Sequence, residues 1–272
     1  MFSIVIQGGL GNQMFQIFAA LSYSINYCKK LVLPAKLQNW DKRITYWNNI
    51  FDKLNSLLIR NEDIDFKEIK EPGFHFSEIP NINENFNLNG YFQSYKYFEK
   101  NYKEICNTMS LYEKRNIIKD KFYNYENTIS LHFRMGDYKQ CTLHHPITPD
   151  IFYIKSLQYI IDNTKQEKWT ILYTCEKEDD IYALTRIANI KNNFKHLNFI
   201  KVDNKLEDWE QMLLMSLCNN NIISNSTFSW WSAYINDFEN KIVCYPSIWF
   251  GIALSNSSVK DLHPNSWIKI DI

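Results

Sequence analysis

Apolar positions along the chain follow two alternating rhythms. Phe2 to Gln7 is a short run with β-branched residues at its centre, the composition of a buried strand. Gly8, Gly9 and Gly11 follow, and Asn12 to Tyr27 then places Phe15, Phe18, Ala19, Ser22 and Ile25 at helical spacing. The chain therefore opens strand, glycine turn, helix. Leu31 to Pro34 is a second strand, closed by its proline. Between residues 40 and 125 the period weakens. Asn89-Gly90 marks a turn there, and Tyr95 to Tyr125 is predicted largely helical. Beyond that the rhythm is clear. Strands at Ile129 to Arg134, Trp169 to Thr174, Leu197 to Val202, Asn221 to Ser224 and Lys241 to Tyr245 alternate with helices at Asp150 to Asn163, Lys177 to Ile190, Glu207 to Asn219 and Phe228 to Asn236. Strict β-α alternation with apolar strands argues a parallel, doubly wound sheet. With a second such unit in the first half, the architecture is α/β, two Rossmann-like domains facing a cleft, divided as residues 1–120 and 121–272.

Charge and cysteine usage narrow the class. Lys and Arg together number 30, as do Asp and Glu, so the chain lacks the long-range field that draws proteins to nucleic-acid backbones, and any phosphate site must be local. The six cysteines, at 28, 106, 141, 175, 218 and 244, form no metal-binding spacing and read as small buried hydrophobes of a reducing compartment. The first residues carry no basic, signal-like segment, and no run reaches the ~18 apolar residues of a membrane helix. These features predict a soluble, cytoplasmic protein without a transmembrane segment.

Ligands of open α/β sheets bind beyond the carboxyl ends of strands, and three polar clusters fall at such ends. Gly8-Gly9-Leu10-Gly11-Asn12-Gln13 is either a tight structural turn or a close-approach site at a helix start; it lacks the third glycine of a dinucleotide fingerprint and the Lys-Ser/Thr of a P-loop. In His132-x-Arg134-x-x-Asp137, residues two apart on a strand share a face. The arginine fork suits a phosphate oxygen pair, and an Arg-Asp ion pair bracing a loop is the alternative. Ser224-Asn225-Ser226-Thr227-Phe228-Ser229 enters a helix, where hydroxyls and free N–H groups form an anion nest or simply an N-cap. Trp230 and Trp231 behind it read as core. His144-His145 on an extended segment point apart, against a metal site, and the acids Glu176, Glu178, Asp179 and Asp180 read as complements to a helix dipole.

In order, Gly8-Gly9-Leu10-Gly11-Asn12-Gln13-Met14-Phe15-Gln16, His132-Phe133-Arg134-Met135-Gly136-Asp137-Tyr138, Met212 to Cys218, and Asn225 to Trp231 resemble the signatures of the α-1,2-fucosyltransferases of glycosyltransferase family eleven. The resemblance implies a GT-B fold, GDP-β-L-fucose as donor, and inverting transfer onto O2 of a terminal galactose of a glycan acceptor. It implies no cofactor and no metal. Carried onto this chain, it implies that Arg134 binds the diphosphate and stabilises departing GDP. His132 would lie near guanine or ribose, Ser226, Thr227 and Phe228 at the β-phosphate, and Gly11 and Asn12 near phosphate and fucose. Two positions depart from the family pattern: Met135 replaces a second arginine, and Gln211 replaces an acid that would pair with guanine. Asp137 is the candidate base, with His145 another. The competing readings are an NAD-dependent oxidoreductase using the Gly9-x-Gly11 turn, and a non-catalytic carbohydrate-binding protein.

Overall fold

The computed structural model describes residues 1–36, 43–59, 66–166 and 168–272. They form two compact units, residues 1–114 with 257–264 and residues 115–256 with 265–272. Both are α/β units built on parallel strands, the class the alternation predicts.

In the first unit, β1 (Phe2–Ile4) leads into α1 (Leu10–Tyr27), followed by β2 (Leu33–Pro34), β3 (Leu58–Ile59), β4 (Lys67–Lys70), β5 (Phe86–Asn89) and α2 (Tyr102–Thr108). The helix α3 (Leu111–Phe122) completes this half of the sequence. β5 lies between β1 and β4, all parallel, and β2 pairs with β3. Asn89-Gly90 thus ends a parallel strand and does not fold a hairpin. β1 stops short of Gln7 because the Gln7 N–H leaves the ladder to donate to the Gln16 side chain, 3.0 Å away. Between Leu10 and Tyr23 every residue of α1 except Asn12 is buried, a far wider apolar surface than the predicted stripe. The Phe2 ring stacks on Phe86 at 5.2 Å and meets Tyr23 edge-on at 4.9 Å, which fixes α1 on the sheet.

Just past β4, Glu71 accepts hydrogen bonds from the Tyr91 and Phe92 N–H groups at 2.7 and 2.9 Å, bracing the turn in which Phe92 takes φ +51°. Burial pushes its carboxyl up to about 7, against the pull of those N–H groups. The folded-state pKa lies above the unfolded one, so the stability it contributes is full below the ordinary carboxylate value and is lost as pH rises through 7. Glu71→Gln keeps an acceptor for both N–H groups. Thermal melts are expected to show it more stable than the native chain at pH 8, by up to about 3 kcal/mol, and no more stable at pH 4.

The second unit follows the predicted alternation: β6 (Thr128–His132), α4 (Asp150–Asp162), β7 (Thr170–Thr174), α5 (Asp180–Lys191), β8 (Asn198–Lys201), α6 (Asp208–Met215), β9 (Asn220–Ile222), α7 (Thr227–Ile235) and β10 (Val243–Pro246), with an unforeseen β11 (Ile268–Ile270). All six strands are parallel in the order β8-β7-β6-β9-β10-β11. The sheet grows from β6 in one direction, then returns to grow from its other side, which is the doubly wound Rossmann order. Its core holds Ile129, Leu131, Phe133, Met135, Tyr153, Leu157 and Ile171, all fully buried. α6 ends four residues earlier than its pattern predicts, because the chain turns to bring the Asn219 side chain onto the Thr128 N–H at 2.7 Å. Four of the six cysteines are buried and none is paired. No helix among the described residues is long and apolar enough to cross a membrane.

Candidate functional site at the sheet switch point

The second and third polar clusters, about ninety residues apart in sequence, meet in the structure. β6 and β9 are neighbours, and the order of the sheet reverses between them, so the segments leaving their carboxyl ends flank the crevice where doubly wound sheets bind ligands. His132 Nδ1 lies 3.0 Å from the Ser224 hydroxyl, and the Tyr138 hydroxyl donates to the Asn225 carbonyl at 3.0 Å. His132 is buried and its ring centroid lies 5.1 Å from that of Phe228. Desolvation, with the Arg134 charge second, lowers its pKa to about 3, so it is neutral at physiological pH.

α7 begins at Thr227 with Ser226 as its cap. Ser226 makes no side-chain capping bond, and its own N–H turns back to the Ser224 carbonyl at 2.8 Å. The N–H groups of a helix's first turn lie outside its intrahelical ladder, and in α7 that turn follows β9 at the switch point. The other end is closed: Lys241 donates its ammonium to the Ala233 carbonyl at 2.8 Å and to the Asn236 carbonyl. Burial lowers the Lys241 pKa to about 8. Trp230 and Trp231 are fully buried, which settles them as core. Asn225 gathers the loops around the site. Its amide donates to the carbonyls of Pro146 and Trp249 at 2.9 and 3.1 Å, and its side-chain oxygen accepts from the Thr148 hydroxyl at 3.0 Å.

Arg134 stands just beyond β6. One guanidinium nitrogen contacts Glu176 and the other contacts Asp137. Its carbon sits 4.5 Å from the centroid of the Tyr138 ring, a cation–π distance, and Tyr138 in turn stacks on His145 at 4.7 Å. The ion-pair alternative of the sequence is therefore present: the arginine follows β6 at the switch point and is braced by two carboxylates. Met135, where the family signature has a second arginine, is fully buried in the core. Past the end of β6 the side chains still alternate: Phe133 and Met135 enter the core and Arg134 between them does not. Gly136 has φ +27°, a backbone conformation that strains any other residue, and a Cβ there would also crowd the Arg134 and Glu176 side-chain ends at 2.9 Å.

Two contributors escape sequence reasoning. Glu176 and Asp179, read as dipole complements of a helix, instead hold the turn after β6. Glu176 reaches the Met135 N–H weakly at 3.4 Å, and the buried Asp179 accepts from the Gly136 N–H at 2.7 Å while pairing with Lys139. The available signal was their place directly after β7, the strand beside β6. Asp180 pairs with Lys201 and Asn204. Glu210 closes a capping box with Glu207, and the Gln211 amide donates to the Leu206 carbonyl at 2.9 Å. Among the described residues no three His, Cys, Asp or Glu side chains are grouped to hold a metal ion.

The first cluster belongs to the first unit. Gly8 takes φ +78°, and a Cβ there would strike the Asn12 amide at 2.5 Å. The Gln13 amide donates to the carbonyls of Gly8 and Ile44 at 2.9 and 2.8 Å, and Gln16 ties Gln7 to Gly90. These bonds build a tight turn. Gly11 is buried in α1, while Asn12 is only partly covered and accepts from the Gln93 amide at 3.1 Å.

The family model described as glycosyl transferase family 11 matches residues 1–250. The O-antigen biosynthesis glycosyltransferase WbnK of Escherichia coli is 35% identical over 170 residues, 61% of this chain and half the length of that relative. An α-1,2-colitosyltransferase of Escherichia coli is 25% identical across 98% of this chain and 97% of its own length. Among solved structures, the fucosyltransferase NodZ from Bradyrhizobium is similar with a TM-score of 0.49 at 11% identity, covering 86% of this chain and 91% of that one.

Proposed function

Because the chain belongs to glycosyl transferase family 11, an assignment that displaces the oxidoreductase reading, we propose that it transfers L-fucose from GDP-β-L-fucose to O2 of a terminal galactose on a glycan acceptor, with inversion and without a divalent metal. One observation supports this reading: the segment carrying Arg134 leaves β6 and the start of α7 follows β9, the two strands between which the sheet order reverses, so a diphosphate bound there would find a cation and N–H donors. The order of the signature segments supports the GDP-sugar, and one relative is named for an α-1,2 transfer.

The acceptor oxygen attacks C1 of fucose from the face opposite the diphosphate, and the C1–O bond breaks with its electron pair leaving on the β-phosphate. Arg134, with Ser226, Thr227 and Phe228, stabilises the charge that develops there. His132 borders the guanosine side. The hydroxyl proton goes to Asp137, whose carboxylate is available once another anion takes its place on Arg134.

A GDP-release assay with GDP-fucose and a panel of galactosides tests the reading. Turnover with a β-galactoside that persists in excess chelator is the expected result, and release only on adding a divalent cation sinks the metal-independent step. GDP calorimetry separates the transferase from a carbohydrate-binding protein, which would leave the nucleotide unbound.

A further inference from the structure

Arg134 contacts two carboxylates, so the site gathers one positive and two negative groups. A diphosphate adds more negative charge at close range, and like charges in contact oppose binding strongly. One carboxylate must therefore yield. The two are not equivalent. The Asp137 side chain is 49% exposed and rides on the turn after Gly136, whereas that of Glu176 is 27% exposed. Glu176 also lies against the Met135 N–H, and its carbonyl accepts the Asp179 N–H at 2.9 Å in the segment that clamps Gly136.

Building on the diphosphate reading above, we propose that Glu176 is a positioning residue that keeps one edge of Arg134 fixed, while Asp137 occupies the phosphate position on the other edge and is displaced by the donor. Arg134 is thus held in its binding geometry before the donor arrives, lying on the Tyr138 ring. The carboxylate that blocks it is the one freed for proton acceptance when it leaves.

Calorimetry with GDP and with inorganic pyrophosphate, on the native chain and on Asp137→Asn, Glu176→Ala and Glu176→Gln, reads this directly. Asp137→Asn removes the competitor and is expected to tighten both ligands about threefold to tenfold, because an uncharged amide is a weaker partner for the guanidinium. Glu176→Ala is expected to weaken both about tenfold although it too removes a negative charge, since a loosened fork loses its bidentate geometry. Glu176→Gln, which keeps an oxygen for the guanidinium, recovers most of that loss. Simple charge repulsion predicts tightening in all three variants, and that outcome overturns the proposal, as does unchanged affinity in Asp137→Asn with a native melting temperature. Turnover keeps the two readings apart: an Asp137→Asn chain that binds GDP more tightly yet turns over at the native rate sinks the proton-acceptor role alone. Pyrophosphate binding without GDP binding sinks the guanine assignment and leaves the carboxylates to be judged on pyrophosphate. Failure to bind either ligand overturns both.

Discussion

Arg134→Ala is expected to lower kcat/KM for GDP-fucose by about a thousandfold or more, the scale of losing a principal donor to a developing oxyanion. Met135 is buried in the core and so leaves Arg134 without the second arginine of the family signature. The variant also leaves Asp137 and Glu176 facing the phosphate position without a counter-ion, so the lost attraction is replaced by repulsion. Arg134→Lys is expected to retain charge but not activity, because an ammonium cannot hold Glu176 on one edge and phosphate on the other. Steady-state kinetics with thermal melts on both variants check this. Native-like turnover in Arg134→Ala would falsify its assignment to the diphosphate.

Trp230→Ala is expected to be the most damaging substitution to the fold of the second unit, costing about 4 kcal/mol, the range for emptying a buried tryptophan site. Trp230 stacks on Tyr234 at 4.7 Å and packs against Trp231 and Trp267 at 5.2 and 5.4 Å. Its backbone N–H donates to the Ser226 carbonyl at 3.0 Å, so the ring packs directly beneath the first turn of α7, the proposed phosphate contact. A fall in melting temperature of roughly 10 °C should accompany weaker GDP binding. Loss of GDP affinity with an unchanged melt would mean that the ring acts on ligand and not on packing.

Much of this was legible in the sequence where one physical pattern governs. The second half alternates apolar runs with amphipathic stretches because each parallel strand is covered on both faces. That suffices for the doubly wound class and for placing His132, Arg134 and Ser226 at strand ends. Residues 40–110 were opaque because strands there are two to four residues long, too short to carry a period. β11 was missed for the same reason. The return of 257–264 to the first unit rests on tertiary bonds such as that from Ser94 to the Asp261 carbonyl, 2.6 Å, between residues far apart in sequence. The partners of Arg134 show the limit most sharply. Asp137 is three positions away and was read as an ion-pair candidate, while Glu176 is brought over by the β6–β7 register, which no local pattern encodes.

Asn225 bears on how this scaffold can be re-engineered. Four segments that are separate in sequence, at Tyr138, Pro146 to Thr148, Asn225 and Trp249, are fastened through one residue. A chimera that imports the 139–148 loop from a relative with different bonding at these points would leave the buried Asn225 side chain with the Trp249 carbonyl but without the Pro146 carbonyl and the Thr148 hydroxyl. Such exchanges are expected to succeed only when the four segments travel as a set, so the transplantable module is a hydrogen-bonded group and not a stretch of sequence.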